Sequence, residues 1–208
     1  MAGSKTLTNV GLGTASATNT LPFSFAQASA YVKGVSTGLT ALAATGAGVV
    51  QYGGMTLTGG GGSGPQVFNL SGADISSVNY FNFNNLSSGQ TLILNISGAS
   101  ATLTGGWQAF SPYNVIYNFG SATAVTLNNV GVFGALLAPK AAINGGGGQV
   151  NGNVIVGNWN SGVQINANHY WQPTTVPGYV NAVPEPESCA LMLAGLGALG
   201  LLARRRRA

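Results

Sequence analysis

The sequence predicts a mainly β fold: a parallel β-helix or β-solenoid-like body with one packed α-helix, plus a C-terminal apolar helix. A β-sandwich is the alternative. Three observations carry this reading. Of 208 residues, 33 are glycine and only 5% are charged, while 45% are apolar. Such a chain is too apolar for disorder and too poor in Glu, Lys and Arg for a helical bundle. Beyond residue 50, short apolar or alternating runs recur at roughly eight to twelve residues, each bounded by Gly, Asn or Ser. Few two-residue hairpin turns separate these runs, and asparagine is abundant where stacked corners can form amide ladders, which favours the solenoid.

The helix comes first. Phe25, Ala28, Val32, Val35, Leu39 and Leu42 recur at steps of three and four, one stripe along a helix over residues 24–45. Ser24 with Gln27 three residues on can cap its start, and Gly46 suits a left-handed C-terminal position. The predicted strands are Met55–Thr58, Gln66–Leu70, Asn79–Phe83, Thr91–Ser97, Ala101–Thr104 and Val115–Phe119, then Ala124–Leu127, Gly134–Leu137, Ala141–Ile143, Val150–Val156 and Val163–Ile165. Gly59–Gly64 and Gly145–Gly148 read as flexible surface loops. No Lys-Ser or Lys-Thr follows either, so neither is a phosphate loop.

The formal net charge of +4 is a property of the tail. Residues 1–182 carry Lys5, Lys33 and Lys140 against Asp74 alone, so the body has no basic face for nucleic acid. Cys189 is the single cysteine, so no intrachain disulfide can form and packing must hold the body together.

The chain divides into an N-terminal segment (1–20), the body (21–171), a proline-rich extended linker (172–182) and a tail (183–208). In the tail, Pro184-Glu185-Pro186 precedes an uncharged run from Cys189 to Ala203, followed by Arg204, Arg205, Arg206 and Arg207. The run contains Leu191, Leu193, Leu196, Leu199, Leu201 and Leu202. The sixteen residues between Glu187 and Arg204 would span roughly 24 Å as a helix. That is somewhat short of a bilayer core of about 30 Å, a deficit that arginine snorkelling can meet. The arginine cluster sets the orientation, leaving the body outside.

This order of motif, apolar helix and basic terminus resembles the PEP-CTERM sorting signal of Gram-negative bacteria. The resemblance implies exosortase as a processing partner, a transient anchor in the inner membrane, and delivery to the cell surface or extracellular matrix. An exported chain also needs an export signal. Met1–Thr20 has one lysine and no apolar run, so a truncated or misassigned start, or a signal already removed, is expected.

Several body segments resemble the choice-of-anchor A domain, an adhesin domain of bacterial surface proteins. They are Leu39–Gly46 (LTALAATG), Tyr52–Leu57 (YGGMTL), Leu92–Gly98 (LILNISG), Val115–Phe119 (VIYNF) and, most specifically, Gly134–Gly152 (GALLAPKAAINGGGGQVNG) with Val154–Gly157. The resemblance covers most of residues 25–170 and implies a solenoid-like adhesive module. Members often have a Glu-Phe-His-like element near the domain's end. Here Asn166-Ala-Asn-His-Tyr170 keeps only the histidine.

The residue inventory argues against an enzyme. Glycoside hydrolysis usually needs two carboxyl groups, and the body has only Asp74. His169 is the single histidine, too few for a metal site with Asp74 alone, and no cofactor is implied. Binding is a stronger prospect. Trp107, Phe110, Tyr113, Trp159, Tyr170 and Trp171 could stack on exopolysaccharide sugars, the alternative being that they fill the core or cap the stack. Ice binding through flat threonine arrays is disfavoured, because only three Thr-Leu-Thr triplets occur, at Thr6, Thr56 and Thr102. The sequence therefore predicts a non-catalytic exported surface or matrix protein, adhesive or scaffolding, with a carbohydrate-binding module as the alternative.

Overall fold

The computed structural model describes residues 24–179. Helix α1 spans Phe25–Thr40, and the Ser24 hydroxyl accepts from the Gln27 amide as its N-cap. The helix stops five residues short of the predicted end. The backbone amides of Thr45 and Gly46 both donate to the Val67 carbonyl, at 2.9 and 3.1 Å, while the Thr45 hydroxyl accepts from the Val67 amide. Sheet pairing thus takes over the backbone groups that a longer helix would use.

Strands β1 (Ala47–Gln51) and β2 (Gly54–Thr58) form an antiparallel hairpin that the sequence reading missed. Its turn is Tyr52-Gly53, with φ of 51° and 76°, the two left-handed residues of a type I′ turn. Tyrosine is rare in that position, which hid the turn. Then follow β3 (Gln66–Ser71), the short helix α2 (Gly72–Ser77), β4 (Tyr80–Asn84), β5 (Thr91–Ser97), β6 (Ser100–Thr104) and a 3₁₀ turn (Trp107–Phe110). The described chain closes with β7 (Asn114–Asn118), β8 (Ala124–Phe133), β9 (Ala135–Asn151), β10 (Val154–Trp159) and β11 (Gln164–Asn166).

Apart from β1–β2, every pairing is parallel. The main sheet runs β3-β5-β7-β9-β8-β6, with β10 and β11 added on β9, and a smaller sheet runs β1-β2-β4. The result is a curled parallel sheet with two helices rather than an antiparallel sandwich. The curl is possible because β9, seventeen residues long, bends and changes partners. Its start pairs with β7, its middle and end with β8, and its other edge with β10 and β11.

The bend corrects an expectation. Gly145–Gly148 is a corner within β9 and not a loop, with φ of 96°, 76° and 85° at Gly145, Gly147 and Gly148. Beside it β8 turns at Asn129, whose φ of 48° is the left-handed conformation asparagine tolerates. The predicted strands at 134–137 and 141–143 merge into β9, while Val150–Val156 is split by Gly152 into the end of β9 and the start of β10. Gly59–Gly64 is a loop, but two buried glutamines hold it. Gln66 accepts from the Gly60 amide at 2.9 Å and donates to the Gly61 carbonyl, and Gln90 donates to the carbonyls of Gly62 and Gly64.

The strand period of two sorts the core. In β5, Leu92, Leu94 and Ile96 join the main cluster inside the curl with Phe68, Tyr117 and Leu136. Ile93 points the other way and packs with Val67 and Leu137 against Leu39 and Leu42. Both faces of β5 are therefore covered, which is why it reads as a continuous apolar run.

Three asparagines pin α1 to this outer face. Asn69, Asn95 and Asn118 stand in register on β3, β5 and β7. The Asn118 amide donates to Asn95 at 2.8 Å, and the Asn95 amide donates to Asn69 at 3.2 Å. Asn95 also donates to the Leu39 carbonyl (2.7 Å) and Asn118 to that of Ser36 (2.9 Å). The ladder expected from the sequence exists, but it crosses strands and not corners.

Residues 172–179, read from the sequence as part of an extended linker, lie back on the body. Gln172 exchanges two hydrogen bonds of 2.9 Å with the Asn114 side chain, and Val176 and Tyr179 join the cluster beneath α1. The predicted apolar helix, the Pro184-Glu185-Pro186 motif and the arginine cluster lie outside the described residues.

Candidate functional site

Trp107 is unavailable as a stacking platform. It is wholly buried at the centre of an aromatic cluster, with ring centroids of Phe81, Tyr117 and Phe110 at 4.7, 5.4 and 5.7 Å. Phe110 and Tyr113 are buried with it. Tyr117, also in the cluster, donates its hydroxyl to the Phe133 carbonyl at 2.8 Å, and burial holds its pKa well above the ordinary tyrosine value.

The remaining aromatics do not share one face. Trp159 is half-buried at the end of β10, paired with Ile143. Trp171 is half-buried near the start of β10, its backbone amide donating to the Asn153 side chain at 2.9 Å. The six residues between those two points span about 20 Å of strand. Tyr170 is 51% exposed. His169 is held in place: its Nε2 lies 3.1 Å from the Tyr113 carbonyl oxygen and its ring sits edge-on to Phe133 at 5.5 Å. A carbonyl only accepts, so Nε2 carries the proton and the ring is positioned as a structural strut.

A second surface was not foreseen as a unit. Residues on β6, β8 and β9 that alternate with the buried row Ala101, Val125 and Ile143 face outward in register, and Asn158 of β10 extends one row. One outward row is Thr102, Thr126 and Asn144, and its neighbour is Ser100, Ala124, Ala142 and Asn158. All are exposed or half-buried, and none is charged. Sequence reasoning could have found the rows only with the register in hand. The Thr-Leu-Thr triplets at Thr56 and Thr102 fall in different sheets, β2 and β6, so these two build no common array, and the triplet at Thr6 lies outside the described residues.

The described residues also line two grooves. One, of about 480 Å³, is lined by Asp74, Asn69, Thr40 and serines at the ends of β3 and β5. The other, of about 520 Å³, lies between Thr91, the Ser111–Asn114 turn and the returning segment from Asn168 to Thr174. Among the described residues no group of three His, Cys, Asp or Glu side chains could hold a metal ion, and no helix is long and apolar enough to cross a membrane.

Fold and surface define a class: a mainly β module whose outer surface carries few charged side chains. Comparison with known families makes this specific. Residues 2–167 match the family described as Putative Ice-binding-like adhesive domain, and residues 182–207 match the PEP-CTERM protein-sorting motif. The first match takes in most of the chain, which therefore belongs to that adhesive-domain family. The sorting motif implies processing by exosortase, and the two together support export to the cell surface. No curated protein and no solved structure matches the chain.

Proposed function

We propose that this chain is a non-catalytic surface or extracellular-matrix protein that adheres or scaffolds, delivered by its C-terminal signal. The observation that carries the adhesive part is the outward face of β6, β8 and β9. Its small hydroxyl, methyl and amide side chains are repeated in register on a scaffold packed from behind. A face of small neutral side chains, with Lys140 of β9 at its border, suits a neutral partner and makes contact by shape and hydrogen bonds.

We read the curled sheet as the coils of a solenoid. One wall is β3, β5, β7 and the start of β9, and the second is β6, the start of β8 and the middle of β9. The third is formed by the ends of β8 and β9 with β11. The choice-of-anchor A resemblance fits this reading, as do a biofilm-matrix setting and an exopolysaccharide partner. In the tail, Pro184-Glu185-Pro186 serves as the sorting motif. The apolar segment from Cys189 to Ala203 holds the chain in the inner membrane until cleavage, and Arg204–Arg207 stay on the cytoplasmic side.

Intact mass and fractionation of the native full-length protein, in cells with and without exosortase, test the proposal. Loss of the segment after Pro186 and appearance at the surface only with the enzyme are expected. An uncleaved chain in the same fraction under both conditions would overturn it.

A further inference from the structure

We propose that the groove of about 520 Å³ between the Ser111–Asn114 turn and the segment from Asn168 to Thr174 is a binding site for a neutral glycan. The assignment deepens the surface reading and rests on it, since it supplies that reading with a ligand. Three observations converge on the groove.

Its walls are fixed. The Asn114 side chain is bonded in both directions to the Gln172 backbone at 2.9 Å and donates to the Thr91 hydroxyl at 3.1 Å, tying the two walls together. A site already ordered before binding loses less entropy on capture. The volume lies within the range of small-ligand sites.

Its chemistry is neutral and mixed. No Lys, Arg, Asp or Glu lines it, whereas the other groove carries Asp74 and no aromatic side chain. Ser111, Asn168 and Thr174 bring hydroxyl and amide groups. His169, whose Nε2 donates to the Tyr113 carbonyl, also lines it.

It also holds the exposed member of the candidate aromatics. Tyr170 lines the groove at 51% exposure, giving a partly wet ring beside polar groups. A pyranose has an apolar face of C–H groups and a rim of hydroxyls. The ring of Tyr170 takes the first, and the amide and hydroxyl groups take the second.

The test is affinity electrophoresis and titration calorimetry of the whole protein against dextran, pullulan, galactomannan and the producing cells' own exopolysaccharide. Variants are Tyr170→Ala, Tyr170→Phe and, as a control, Tyr52→Ala, a tyrosine 88% exposed on the β1–β2 hairpin. Binding to at least one glycan is expected, weakened about tenfold by Tyr170→Ala. Tyr170→Phe keeps most of the affinity, and Tyr52→Ala leaves it unchanged. No binding to any glycan, or equal loss in the Tyr170→Ala and Tyr52→Ala variants, overturns the assignment. Adhesion of the same variants to the cells' matrix is measured in parallel. Full adhesion without glycan binding removes the groove and leaves the adhesive reading standing, whereas absence of the native chain from the surface removes that reading itself.

Discussion

Asn118 is wholly buried on β7 and satisfies both ends of its side chain. Its oxygen accepts from the Ser36 hydroxyl at 2.6 Å, and its amide donates to the Ser36 carbonyl, Asn95 and the Thr40 hydroxyl. Replacing it by alanine strands several buried partners at once. Asn118→Ala is therefore expected to lower stability by about 2–4 kcal/mol in urea titrations. Asn69→Ala, at the exposed end of the ladder, should cost less than about 1 kcal/mol. The clue was present in the sequence: Asn95 and Asn118 are single amides inside the apolar runs LILNIS and VIYN. What could not be read was their partner, since Ser36 is 82 residues away from Asn118. Trp107 shows the same limit. Its size made it a candidate for stacking or for core, and only its neighbours in space put it in the core.

Among the elements, β9 was the hardest to anticipate. A run of four glycines reads locally as a loop, because glycine's freedom is normally spent in turns. Here that freedom lets one strand turn a corner while staying paired with β8. Gly145 has φ of 96°, and a Cβ there would overlap the Leu127 carbonyl oxygen, whereas at Gly146 nothing lies within 4 Å. Gly145→Ala should cost about 2 kcal/mol or more, and Gly146→Ala about 0.5 kcal/mol or less. Equal losses at the two sites in thermal melts would refute the corner geometry. The helix boundary teaches the complementary lesson. Periodicity carried the predicted stripe through Leu42, and Leu42 is indeed buried, but the backbone had left the helix at Thr40 to pair with β3.

At the scale of the whole molecule, the scarcity of charge governs how the body responds to solution conditions. Lys33, Lys140 and Asp74 are the only Lys, Arg, Asp or Glu between residues 24 and 179. Raising NaCl from about 0.05 to 0.5 M should therefore move the melting temperature by no more than about 2 °C. Alkali acts differently. Burial raises the pKa of Tyr117 well above its ordinary value of 10.0, so the folded state keeps a proton that the unfolded state gives up. Stability from this group is complete below pH 10.0 and is lost as pH rises through the window from there to the raised value. Denaturation followed from pH 8 to 12, values of about that range, should show a falling limb that is shallower in Tyr117→Phe.

The sequence by itself determined the composition class, the absence of a charged face, most strand positions, the start of α1 and the order of the C-terminal signal. Each is written in local composition or periodicity, where neighbours in the chain carry the information. The tertiary structure decided which strands lie side by side, that the glycine run is a corner, that Trp107 is core, and that residues 172–179 return to the body. It also decided that small neutral residues on β6, β8, β9 and β10 form rows. Those outcomes depend on register between residues far apart in the chain, and a parallel pairing leaves no local turn from which to read it.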